Sequence, residues 1–106
     1  LSLYMADNIE QYLLQIVLAT RNASAYGDDL NQWLQYGASP RATITLDRCA
    51  RAHAWLQQRD YVGPEDVQAV AHEVLRHRLI LNYEAEAEGI TTDSVISELI
   101  SRIAVP

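Results

Sequence analysis

Apolar residues recur along this chain mostly at helical spacing. Ile9, Tyr12, Leu13, Ile16, Val17 and Thr20 fall on one face of a segment from about Asp7 to Thr20. Leu14 and Leu18 widen that stripe, so this helix is expected to be buried on more than one side. Asp7 and Glu10 stand three apart at its start and read as a capping-box pair, acid at N-cap and glutamate at N3. From Arg21 to Tyr36 the period breaks. Asn22, Ser24, Gly27, Asp28 and Asp29 are turn formers, and Leu30, Trp33 and Leu34 either make one helical turn or anchor a loop on the core. So long a loop in a small domain points to function.

A longer helix is predicted from Pro40 to about Gln57. Ala42, Leu46, Cys49, Ala50, His53 and Leu56 give its apolar face, with Ile44, Arg48, Arg51 and Trp55 on another side. Gln58 to Gly63 is a connector that Tyr61 and Val62 can pin to the core. Pro64-Glu65-Asp66 opens a third helix, with proline at N1 and two acids matched to the positive end of the helix dipole. Its core stripe is Val67, Val70, Ala71, Val74 and Leu75, and Arg76, His77 and Arg78 crowd its C-terminal end. Leu79 to Tyr83 fits either an extended segment or a helical continuation. Glu84, Glu86 and Glu88 lead to Gly89 as a solvated connector. A last helix starts near Thr91 or Thr92 and presents Val95, Ile96, Leu99, Ile100 and Ile103. The expected fold is all-α, a small four-helix bundle without a strand, in one domain covering residues 1–106.

Composition narrows the chemistry. The chain has 106 residues and carries a net charge of −6. All eight of its Lys+Arg residues are arginines, because lysine is absent. A Walker A loop and a Schiff base both need lysine, so this segment holds neither. The acidic balance disfavours a helix-turn-helix reader of DNA, for which a basic face is expected. Cys49 is a single thiol within an apolar stripe, with no partner for an internal disulfide. No apolar run approaches the ~18 residues of a membrane span, and the N-terminus lacks a signal-peptide layout. The start at Leu1 instead of Met reads as a segment of a longer chain.

The sharpest chemical signal is Gly37-Ala38-Ser39-Pro40-Arg41-Ala42. Ser39 is placed as N-cap and Pro40 at N1. Arg41 then falls at N2, where a cation opposes the helix dipole by about 0.3–1 kcal/mol. Either Arg41 pairs with an acid or points into water, or first-turn N–H groups and the guanidinium together make a site for a phosphate or other anion. Other constellations are weaker. Cys49 and His53 are spaced i, i+4, but two ligands are too few for structural zinc. His72 and His77 are five apart and do not share a helix face. Glu65 and Asp66 already have a structural role in the first turn of their helix. Trp33 and Trp55 fit either the core or an interface.

The chain resembles the C-terminal lid domain of the MoxR family of AAA+ ATPases. The resemblance rests on Ala19-Thr20-Arg21, Tyr36-Gly37-Ala38-Ser39-Pro40-Arg41-Ala42, Ala50-Arg51-Ala52, Arg59-Asp60-Tyr61-Val62, Pro64-Glu65-Asp66-Val67 and Val74-Leu75-Arg76-His77-Arg78-Leu79. One departure is Gln58, where the family tends to have glycine. The resemblance implies that Arg41 is the sensor 2 arginine, reaching the phosphates of ATP bound with Mg²⁺ on a larger α/β domain outside this segment. Arg21, Arg51, Arg76 and Arg78 also belong to the family pattern and are assigned to lid structure or inter-domain contacts; from the residues alone, an ion pair with Asp47, Asp60 or Glu73 is expected for each. The resemblance further implies a cytoplasmic, chaperone-like remodelling ATPase working as a hexameric ring. The expected partners are the AAA+ core domain of the same chain, neighbouring subunits and von Willebrand factor A-type domain proteins, with no nucleic acid and no membrane. The segment alone is not expected to hydrolyse ATP. The competing reading is a helical protein-interaction module without a nucleotide role, docking through Trp33 or Trp55.

Overall fold

The computed structural model describes residues 3–106. The four predicted helices are its four long ones: α1 (Asp7–Arg21), α3 (Ala42–Leu56), α4 (Pro64–Leu75) and α6 (Thr92–Ser101). Two short helices, α2 (Asp28–Trp33) and α5 (Tyr83–Ala87), and a 3₁₀ turn at Ala23–Ala25 join them. A small antiparallel pair, β1 (Leu34–Tyr36) and β2 (Ile80–Leu81), replaces the strandless expectation, with Leu34 opposite Leu81 and Tyr36 opposite Ile80. Asn82 extends the pairing by donating its N–H to the Trp33 carbonyl at 2.7 Å. The domain stays all-α in class, since the pair is only a clip between two loops. No helix among the described residues is long and apolar enough to cross a membrane.

The core is built on α1, whose Tyr12, Leu13, Ile16 and Val17 are buried, together with Leu46, Val67, Leu75, Ile96 and Leu99 from the other long helices. Leu14 and Leu18 remain exposed, so α1 is buried on one side and not on two. The N-cap of α1 is Ala6, without a side-chain cap, and Asp7 and Glu10 are first-turn acids and not a capping box. They still complement the helix dipole.

α3 packs chiefly against α4. Its buried residues are Ala42, Leu46, Ala50 and Ala54, a stripe dominated by alanines. The predicted face was rotated at its far end: Ala54 is buried, Leu56 is 70% exposed, and Cys49 and His53 are half-buried. The i+4 series from Ala42 tracks the crossing with α4 more closely than the bulkier apolar residues do.

The connector after α3 holds a conformational cost. Gln58 has φ 62°, in the left-handed region that favours glycine. It is the residue after the C-cap of α3. The Gln58 N–H donates to the Trp55 carbonyl at 2.9 Å, and the Arg59 N–H to the Ala54 carbonyl at 3.0 Å. These two bonds are the Schellman pattern, which glycine ordinarily closes. Gly89 does so after α5, at φ 82°. The departure from glycine at Gln58 therefore leaves the turn geometry intact and is borne as backbone strain. Gln58→Gly is expected to stabilise the domain by about 0.5–1 kcal/mol, the left-handed cost less the added freedom of the unfolded chain. Urea unfolding of the two proteins measures it, and an unchanged or lower stability contradicts it.

Candidate functional site

The Gly37–Arg41 loop is held by the end of α1. Thr20 is 2% exposed, and its Oγ1 donates to the Val17 carbonyl at 2.7 Å and accepts the Ala38 N–H at 2.9 Å. Arg21 Nη1 donates to the Ala38 carbonyl at 3.2 Å. Gly37 lies against the Thr20 carbonyl so closely that a Cβ there would sit 2.1 Å from its oxygen. Two motifs distant in sequence, Ala19-Thr20-Arg21 and Gly37-Ala38-Ser39, are thus one packed unit.

From that unit the chain enters α3 through a tight turn. The N–H groups of Ala42, Thr43 and Ile44 donate to the carbonyls of Ser39, Pro40 and Arg41 at 2.9–3.1 Å, each three residues back. These are 3₁₀-type bonds, common at helix starts, and they place the regular α-helix two residues later than the spacing predicts. Arg41, expected at N2, is itself the N-cap of α3, and Ser39 stands two residues before it, with its Oγ accepting the Arg41 N–H at 3.2 Å within the turn and not as the helix cap. The first turn of α3 contains no acid.

Arg41 is exposed and lines an open groove of about 610 Å³ with Gly37, Ser39, Thr45, Arg48 and Arg78 among its walls. No aspartate or glutamate lines it, in a chain where acids outnumber arginines 14 to 8. Among the described residues, Arg41, Arg48 and Arg78 form no ion pair. Arg78 donates Nη1 to the Val74 carbonyl at the end of α4. From sequence, Arg78 is assigned to lid structure or inter-domain contacts and Arg48 is placed only on a second side of the helix, with no role at the Arg41 site. The clip of β1 on β2 brings Arg78 here: Tyr36 precedes the Gly37 loop, and Ile80 opposite it follows Arg78 by two residues.

The remaining candidates do structural work. Arg51 pairs with Asp47 at 3.1 Å, as expected, and also donates to the Leu3 carbonyl. Arg76 pairs with Asp93 at 2.9 Å, on α6, while Asp60 and Glu73 take no arginine among the described residues. Two networks were not read from the sequence. Arg59 and His53 converge on the buried Asp66, with His53 Nδ1 2.7 Å from Oδ1. Arg102 chelates Asp29 at 2.8 and 2.9 Å, and this hydrogen bonding holds the Asp29 carboxyl down at about 2. His53 therefore faces Asp66, not Cys49, and among the described residues no three His, Cys, Asp or Glu side chains gather to hold a metal. Trp33 is half-buried against the core; Trp55 is 59% exposed at the far end of α3, about 21 Å of helix from Arg41.

The groove gathers cationic side chains without a carboxylate among its lining residues. The family model of the AAA lid domain matches residues 30–99. Chaperone MoxR1 of Mycobacterium tuberculosis is 42% identical over 96 residues, which is 90% of this chain and 26% of that protein. Protein MoxR of Paracoccus denitrificans is 34% identical over 105 residues, covering 92% of this chain and 31% of its own. A crystal structure of a Cytophaga hutchinsonii protein classed as an ATPase superposes with a TM-score of 0.93 at 42% identity, over 99% of this chain and 32% of that one. This chain thus spans about a quarter to a third of the length of these relatives. It belongs to the AAA lid domain family, and the MoxR proteins it matches share most of its length.

Proposed function

We propose that this lid supplies Arg41 as the sensor 2 residue of a nucleotide site whose remaining parts lie on a separate AAA+ core domain. The observation that carries the reading is the exposed Arg41 at the start of α3, without an ionic partner among the described residues and in a groove with no acid among its lining residues. Such a donor set fits phosphate oxygens. It does not fit Mg²⁺, which takes oxygen ligands, so the metal belongs with the core domain. ATP, when bound, supplies the phosphoanhydride that is cleaved. Arg41 contributes a fixed charge and a planar fork that binds two phosphate oxygens, and so ties lid to core while the terminal phosphate is present. As that charge leaves, Arg41 loses its partner and the lid is free to rotate. Thr20, Gly37 and Ser39 serve this step by fixing where the guanidinium starts from.

The family resemblance supports the wider reading: a cytoplasmic, chaperone-like remodelling ATPase in a hexameric ring, with von Willebrand factor A-type domain proteins among its partners. Arg41→Ala in the full-length protein is expected to lower ATP turnover at least about tenfold, or ~1.4 kcal/mol of barrier, with the fold intact. Unchanged turnover sinks the assignment. The second reading, an interaction module, is favoured by the exposure of Trp55 and Leu56 at the opposite end of α3. It would lead if partner capture failed in Trp55→Ala while Arg41→Ala changed nothing.

A further inference from the structure

We propose that Arg78 and Arg48 join Arg41 in one polyphosphate-binding groove. In it Arg78 contacts phosphate oxygens alongside Arg41, and Arg48 adds charge two turns further along α3. This deepens the reading of Arg41 and rests on it.

Three observations carry it. The first is charge placement. Three of the eight arginines line a single groove that no carboxylate enters, although the chain as a whole is acidic. Like charges so gathered repel one another, and an anion is what relieves them.

The second is the state of Arg78. Its Nη1 is engaged by the Val74 carbonyl. A guanidinium carries five N–H donors, so this contact orients the group and leaves others for a ligand. Arg78 also comes to the groove from a different element than Arg41, because the β1–β2 clip lays the segment after α4 beside the Gly37 loop.

The third is length. Seven residues of helix separate Arg41 from Arg48, about 10 Å along the axis. That run of cationic groups is longer than a single phosphate, and a chain of linked phosphates can lie along the groove. The ligand class is therefore a polyphosphate, such as the tail of a nucleoside triphosphate.

The test uses the full-length protein and two probes, ATP and inorganic tripolyphosphate, which lacks base and ribose. The variants are Arg78→Gln, Arg78→Lys, Arg48→Gln and Arg41→Ala. Glutamine at 78 keeps an N–H donor for the Val74 carbonyl while removing the charge. Arg78→Gln is expected to weaken both probes about tenfold, the scale of one lost charge-assisted hydrogen bond. Arg78→Lys should recover part of that loss. Arg48→Gln should weaken both by a smaller factor, and thermal unfolding should match the parent. If Arg78→Gln weakens ATP but not tripolyphosphate, Arg78 acts on the base or ribose, and if it weakens neither, Arg78 serves only the protein; either result overturns the groove proposal. A parent that does not bind tripolyphosphate overturns it too. An effect of Arg41→Ala without one of Arg78→Gln leaves the sensor 2 reading standing and the groove refuted. No effect of Arg41→Ala removes the reading on which the groove rests.

Discussion

Gly37→Ala is expected to lower the unfolding midpoint of the domain by about 10 °C or more, and to impair any function that depends on Arg41. The added methyl would lie 2.1 Å from the Thr20 oxygen, 2.4 Å from its carbonyl carbon and 2.8 Å from the Arg21 nitrogen. All three are backbone atoms, so no side chain can rotate aside. The last turn of α1 cannot yield cheaply either, because Thr20 is tied to both Val17 and Ala38. Relief has to come from the 37–41 loop, which must move off Thr20 and leave the Ala38 N–H without its acceptor. Overpacking costs about 1–3 kcal/mol and a buried unsatisfied N–H a further ~1–3. For a domain of about 100 residues each kcal/mol shifts the midpoint by roughly 4–8 °C. Thermal circular dichroism measures the first effect. In the full-length protein, ATP turnover measures the second. A midpoint within about 2 °C of the parent would show that the loop is not wedged against α1.

The four long helices followed from period alone, because their core residues are buried at regular intervals. Arg41 stood out because a cation at a helix start runs against the dipole, and that conflict could be seen without coordinates. What stayed hidden was everything settled by two segments meeting. Leu34–Tyr36 and Ile80–Leu81 are too short to show an alternating pattern, and each becomes a strand only because the other pairs with it. With that pairing unseen, Arg78 read as a helix-end cation. The face of α3 was misjudged at its end because Leu56 looks more apolar than Ala54. The close approach of α4 selects the smaller residue, and Leu56 is left to water. Gln58 was visible as a departure from glycine, but only its φ of 62° shows that the turn was kept and strained, not altered.

Asp66→Ala is expected to destabilise the domain by about 3 kcal/mol, the lower end of what breaking a buried ion pair costs. In sequence Asp66 is a first-turn acid like Glu65, yet the two differ in kind. Glu65 is exposed and pairs with Arg59 in solvent, where such a contact is worth about 0–1 kcal/mol. Asp66 is fully buried. Its Oδ2 accepts the Gly63 N–H at 2.8 Å, and Oδ1 receives His53 from α3 and Arg59 from the connector. One carboxylate thus closes the N-terminus of α4, ties it to α3 and anchors the strained turn at Gln58. Removing it strands three donors. Arg59 and His53 are each partly exposed, at 24% and 30% of the side chain, so water takes up part of the loss. That is why the lower end of the range applies. Asp66→Asn should cost less, because its amide oxygen can still accept from Gly63 while the charge is gone. Urea unfolding of the parent and both variants orders them, and the order itself is the test. If alanine and asparagine are equally mild, within about 1 kcal/mol of the parent, the α3–α4 pair is held by its alanine stripe alone and Asp66 is no more than a surface-type cap. If alanine is costly and asparagine intermediate, both the charge of Asp66 and its hydrogen bond to Gly63 hold the start of α4 against α3.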